Sequence, residues 1–217
     1  MSMRMKWLIG LFQTSIGKKL VMALTGLFMS GFMMCVHLTL NLLMLKGEEW
    51  YNTPVEFMAK VPGLIVVECV LAAIFLGHVF TGLWLQWENY QTAPAGYVQR
   101  RAAGGRTLGS ATMLYTALFL LVFLLLHIMS FRYGDRPAGY YRMVLSAFAN
   151  PGMVFLYVLA AIALCIHLSH GVQSSFQTLG LSHPNYTPFI KLIGFLVALS
   201  MMGFALVAGW SFARGGL

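Results

Sequence analysis

The 217 residues are 59% hydrophobic and only 9% charged, with a formal net charge of +8. A soluble domain carries about 25% charged residues, so the composition excludes a water-soluble enzyme and leaves a polytopic helical membrane protein. The positive balance suits anionic lipid or a soluble partner subunit, and nothing in its distribution suggests nucleic acid.

In chain order, residues 1–19 read as an N-terminal cytoplasmic or interfacial segment. The apolar run WLIGLF is too short for a signal-peptide core, and Lys18 and Lys19 follow it. Trp7, Leu8, Leu11 and Phe12 are expected to face lipid on a short interfacial helix. Apolar runs of about 20 residues, the length that crosses a bilayer, then predict five transmembrane helices in one domain over 20–212. They run at about 20–45, 61–84, 108–131, 153–176 and 189–212, with a tail at 213–217. Helices are the economical form because a lipid-embedded backbone must satisfy its own hydrogen bonds. Cys35, Cys69 and Cys165 all fall inside spans. Their odd number and spacing match neither a disulfide framework nor a zinc motif, and they read as small packing residues.

Orientation follows from lysine and arginine. One side collects Arg4, Lys6, Lys18, Lys19, Arg100, Arg101, Arg106 and Lys191; the other collects Lys46, Lys60, Arg132, Arg136, Arg142 and Arg214. The cluster before the first span favours a cytoplasmic N-terminus and an outside C-terminus. The loops are too short for a second domain. Those after the second and fourth spans would both emerge in the cytoplasm, as the natural docking surface for a partner.

Six histidines punctuate the chain. His183 lies in a polar loop beside a proline. The other five fall in spans: His37 in the first, His78 in the second, His127 in the third, and His167 and His170 in the fourth. An ionisable residue inside a membrane is a functional hypothesis by default. Alternate spans run in opposite directions, so at about 1.5 Å per residue His37 and His127 share a level in the outer half. His78 and His167 share a level in the inner half. One histidine from each of two helices at one depth supplies both axial ligands of a six-coordinate haem, which carries electrons without an open site for bond chemistry. Two histidines per level fall short of tetrahedral zinc. The spans hold too few carboxylates for a di-iron site. No C-x-x-C-H is present, so the haems would be non-covalent, b type. The expected architecture is all-α, five transmembrane helices binding two stacked haems. The shared H-x-x-x-G of His78 with Gly82 and His167 with Gly171 sets a glycine one turn from each inner ligand. Gly26, Ser30, His37 and Asn41 share one face of the first span by the 3.6-residue period.

SIGKKLVMALTGLF followed by VHLTLNLLML resembles the first helix of the bacterial succinate dehydrogenase/fumarate reductase cytochrome b subunit. HLSHGVQSSFQTLGLSHPNYTPFIKLIG resembles its fourth helix and last cytoplasmic loop, and HVFTG and LLHIMSF fit its second and third helices. The resemblance implies a single-chain, five-helix, di-haem anchor in the bacterial cytoplasmic membrane. Its partners would be an iron–sulfur subunit and an FAD-containing flavoprotein, with the dicarboxylate chemistry on another chain. It implies His37 and His127 as ligands of the distal haem, and His78 and His167 as ligands of the proximal one. His170 is then no ligand and is left to bond a haem propionate or a loop backbone. It also implies quinone chemistry near the distal haem, with menaquinone or menaquinol as substrate. Glu68 is the candidate proton acceptor and Asp135 the second candidate. Arg132, Lys46 and Lys60 are candidate partners for distal propionates, and Lys18, Lys19, Ser174 and Ser175 for proximal ones. The alternatives are the cytochrome b of another quinone-linked complex, of hydrogenase or formate dehydrogenase type, and a non-haem transporter or scaffold.

Overall fold

The computed structural model describes residues 13–92, 107–135 and 138–215. The interfacial helix expected over 7–12 lies outside them, as do Arg4, Lys6, Arg100, Arg101, Arg106 and Arg136. The described chain is helical throughout, in chain order α1 (Ser15–Lys46), α2 (Glu48–Ala59), α3 (Leu64–Thr92), α4 (Leu108–Arg132), α5 (Tyr140–Phe148), α6 (Pro151–Thr178) and α7 (Thr187–Arg214). Helices α1, α3, α4, α6 and α7 are long and apolar enough to cross a membrane.

Local chemistry sets the starts. Thr14 caps α1 by accepting from Gly17 N at 3.0 Å, Thr107 caps α4 by accepting from Ser110 N at 3.2 Å, and Asn150 caps α6 by accepting from Gly152 N at 2.8 Å. Pro151 sits at the first position of α6, where its missing N–H costs nothing. Three spans are not regular. α1 passes through a π-helical segment at Met33–Leu38 and ends in a 3₁₀ turn at Leu43–Lys46; α4 ends in a π-helical segment at Ile128–Arg132. α7 breaks its α-helical run at Met201.

α6 is the hub of the bundle, packing against α1, α4 and α7. Its buried face runs through Tyr157, Ala160, Ala161, Leu168, Val172 and Ser175. In lipid there is no hydrophobic force between helices, so close packing of small residues does the work. The crossing with α4 shows it: a Cβ on Gly109 would lie 2.8 Å from Ile166 O and 2.9 Å from Ser169 Oγ. Much of the remaining apolar surface of α3 and α4, including Val66, Val70, Phe80, Val122 and Leu125, is exposed and faces the bilayer.

α3 is the loosest member. It packs along α1 and has no comparable interface with α4 or α6. Ion pairs hold its two ends. Glu88 pairs with the buried Lys18 of α1 and also accepts from Trp84 Nε1 at 2.9 Å, while Lys18 Nζ lies 4.8 Å from the Trp84 ring centre. At the far end Glu68 takes a two-pronged bond from Arg132 of α4, 2.9 Å from Nε and 3.2 Å from the second guanidinium nitrogen.

The two connections at the α1 and α4 C-terminal ends are ordered helices, not simple loops. α5 has apolar residues at helical spacing and buries Tyr141, Val144 and Phe148. α2 grips it through Asn52, whose Oδ1 accepts from Tyr141 N at 2.8 Å, and through Glu48, 3.2 Å from Arg142 Nε. Tyr51 lies beneath; burial, and next the nearby Tyr140, push its phenol up to about 12, so it remains a neutral hydrogen-bonding group.

Lys18 is 3% exposed, so removing only its counter-ion leaves a buried cation unpaired. Glu88→Gln should lower the thermal midpoint of the purified protein, and the double change Lys18→Met with Glu88→Gln should recover much of that loss. A single variant as stable as the double would show that the pair does not hold α3 to α1.

Candidate functional site

The five span histidines separate into two levels. At the α2–α5 end, the His37 and His127 rings lie 5.6 Å apart, edge to face at 85°. Both stand at irregular turns: His37 lies within the π segment of α1, and His127 immediately precedes that of α4. A π turn adds a residue to the helical register and recurs at functional sites. The His37 ring lies between Phe32, 6.3 Å away, and Phe204 of α7, 5.4 Å away. His127 Nδ1 is 3.0 Å from the Tyr157 hydroxyl. A cavity of about 160 Å³ opens beside the two rings, lined also by Asn41, Tyr51, Tyr140 and Tyr157 and roofed by Val144 and Phe148 of α5.

At the other level, His78 Nδ1 lies 3.1 Å from Met22 O and 3.1 Å from Thr25 Oγ1 of α1. His167 Nδ1 lies 3.2 Å from Thr116 Oγ1 of α4, and His78 is within electrostatic range of His167. Both residues sit in regular α-helix. Gly26 belongs to this level. A Cβ there would lie 3.0 Å from His78 Cε1, so its absence is what lets the ring come this close to α1. Ser30, placed with Gly26 on one face by the period, is buried and returns its hydroxyl to Gly26 O at 2.8 Å. Asn41 donates to His37 O at 2.8 Å. Gly82 packs toward Met22 Sδ, 3.7 Å from where its Cβ would be, whereas Gly171 faces open space. The matched glycines therefore have different surroundings.

His170 is half-buried against the α4 crossing, its Cβ 2.8 Å from where a Gly109 Cβ would stand. His183 stacks on Tyr186 at 5.1 Å. Glu68 is held by Arg132, and Asp135 is exposed on the segment after α4. Of the basic and hydroxyl residues read as propionate partners, Lys18 is occupied by Glu88, Lys46 lies over Trp50 at 4.6 Å, Lys60 is 3.9 Å from Glu56, and Ser175 donates to Gly171 O.

The spacing of His37 and His127 is compatible with a metal held between them. A metal shared by two opposed imidazoles separates the ring centres by roughly 6 Å, from bonds of about 2.0 Å and ring radii of about 1 Å; 5.6 Å is close to that. His78, His127 and His167 each have Nδ1 engaged, which leaves Nε2 for a metal, the usual division of labour in a ligating imidazole. Among the described residues no three His, Cys, Asp or Glu side chains gather as a metal cage.

Fold and site together define a multi-pass helical membrane protein with paired histidines inside its bundle. Residues 88–207, more than half the chain, match the family model described as the succinate dehydrogenase/fumarate reductase transmembrane subunit. The chain belongs to that family: it is a membrane-anchor subunit of an oxidoreductase complex that has other subunits. The matched region contains His127, His167 and His170 and leaves out His37, His78 and Glu68. No curated protein and no solved structure matches the chain.

Sequence reasoning missed the Nδ1 partners. Thr25, Thr116 and Tyr157 carry no motif and lie 30 to 53 positions from the histidines they meet. Gly26→Ala should press on the His78 ring and destabilise the protein by about 1–3 kcal/mol, as overpacking does. Gly31→Ala, with nothing within 4 Å, is the control in the same thermal-unfolding measurement; equal effects would remove the special role of Gly26.

Proposed function

We propose that this chain is the single-chain, di-haem cytochrome b form of the family, passing electrons between membrane menaquinone or menaquinol and a cytoplasmic iron–sulfur subunit next to an FAD flavoprotein. The single observation that carries the reading is two histidine pairs at separate levels, each pair drawn from two helices, with Nε2 left over on at least three of the four rings. His37 and His127 would hold one haem b, and His78 and His167 the other. When bound, the haems supply one-electron transfer between the two levels. The lysine and arginine distribution supports a cytoplasmic N-terminus in a bacterial inner membrane, which sets the His37–His127 level near the outside.

Quinol oxidation releases two protons and two electrons, so a proton acceptor is needed at the outer level. Glu68 is the first candidate. Arg132 holds its carboxylate at the outer end of α3 with both oxygens engaged, which fixes the orientation of the group. Asp135, exposed nearby in sequence to Arg132, is the second candidate. The cavity beside His37 and His127 carries Tyr51, Tyr140 and Tyr157, polar heads in an apolar lining, as a small-molecule site does.

A pyridine haemochrome assay on the purified complex should give two haems b per copy of this chain. His167→Ala should remove one haem and His170→Ala none; loss of a haem from the His170 variant would reassign the ligand. Absence of haem from the unsubstituted complex would favour the scaffold alternative, and copurification without an FAD flavoprotein would favour another quinone-linked complex. Glu68→Gln should retain both haems and slow quinol turnover about a hundredfold, the lower end of what a positioned general base contributes. Unchanged turnover would return Glu68 to the task of tying α3 to α4.

A further inference from the structure

The His78 and His167 rings share an arrangement that neither the histidine spacing nor the family assignment contains. Each meets a threonine hydroxyl from a helix other than its own, and in each case the hydroxyl proton is already committed. Thr25 Oγ1 donates to Val21 O at 2.7 Å. Thr116 Oγ1 donates back to α4, 3.1 Å from both Thr112 O and Met113 O. A hydroxyl has one proton and two lone pairs. With the proton spent on a carbonyl of its own helix, the oxygen can only accept from the ring nitrogen it faces. For His78 the conclusion has a second support, since Met22 O, also 3.1 Å from Nδ1, is an acceptor and nothing else. This arrangement is the one in which Nδ1 carries the proton and Nε2 the lone pair in both rings. Gly26 completes the shelf on α1 by leaving room for the ring next to Thr25.

We propose that Thr25 and Thr116 are positioning residues that lock His78 and His167 as Nδ1–H tautomers, keeping the Nε2 lone pair of each free for a haem iron. The proposal rests on the di-haem reading above and assigns to two otherwise silent threonines the task of preparing the ligands before any haem arrives. An acceptor on Nδ1–H also makes the imidazole a stronger donor through Nε2, which favours the ferric state of a haem bound there. The two threonines are not equivalent. His78 keeps the Met22 carbonyl if Thr25 loses its oxygen, whereas Thr116 is the only partner seen for His167 Nδ1 among the described residues. The Tyr157 phenol can donate to His127 or accept from it, so the same argument does not extend to that ring.

The test uses the intact complex, titrated potentiometrically with low-spin haem followed by electron paramagnetic resonance. Thr116→Val keeps the methyl and the volume and removes the acceptor; Thr116→Ser keeps the acceptor and removes the methyl. The expected result is that Thr116→Val raises the midpoint potential of one haem and shifts its low-spin signal, leaves the other haem unmoved, and that Thr116→Ser stays at the unsubstituted value. Thr25→Val should move the same haem by less. Loss of one haem from Thr116→Val, with both retained in Thr116→Ser, supports the proposal equally. Unshifted potential and signal in Thr116→Val with both haems present would overturn it, as would a Thr116→Ser variant that behaves like Thr116→Val. An unsubstituted complex without haem b would instead overturn the di-haem reading on which the proposal stands.

Discussion

A neutral imidazole carries one N–H and one lone pair, and inside a bilayer neither can be left to water. That constraint organises this protein. The Nδ1 atoms of His78, His127 and His167 each find an oxygen on a neighbouring helix. The pairings join α3 to α1 and α4 to α6. Interhelical hydrogen bonds in membranes contribute only about 0.6 kcal/mol each on average, so three of them do not hold a five-span bundle together. Their effect is on orientation: each fixes which ring nitrogen is held by a neighbouring helix.

Stability comes from elsewhere. α6 is buried along a stripe of Ala160, Ala161, Leu168 and Val172, and α7 meets it through Gly194, Ala198 and Met201. These small surfaces allow close approach where lipid offers no hydrophobic drive. α3 lacks such a surface toward α4 and α6 and is tied down by Lys18–Glu88 at one end and Glu68–Arg132 at the other. α3 is therefore fastened at its ends and loose along its side toward α4 and α6, while the His78 ring lies against α1. Local looseness and ligand-binding capacity are commonly the same feature of a fold.

The two histidine levels differ in construction. His78 and His167 lie on unbroken α-helix, with threonines across the gap. His37 and His127 lie at π turns, enclosed by Phe32, Phe204 and Tyr157 and covered by the α2–α5 pair. The first level is ordered by hydrogen bonds and the second mainly by aromatic packing and an interfacial cap. The covering helices join through Asn52 to the Tyr141 backbone and Glu48 to Arg142, contacts that depend on two segments about 90 residues apart in sequence.

Composition and hydropathy alone determined that the chain is helical and spans a membrane, because about 20 consecutive apolar residues leave a polypeptide no other economical form. Helical rise determined which histidines share a level, since depth in a straight span is simply residue count. Tertiary structure decided what rise and period do not encode. Neither rise nor period shows that Gly26, through its missing Cβ, makes room for His78 of another helix. α2 and α5 were hidden because short amphipathic turns beside long apolar spans carry little periodic signal. Thr25, Thr116 and Tyr157 became visible only when helices distant in sequence were set side by side, because a hydrogen bond between helices depends on their relative rotation, and no single helix encodes that.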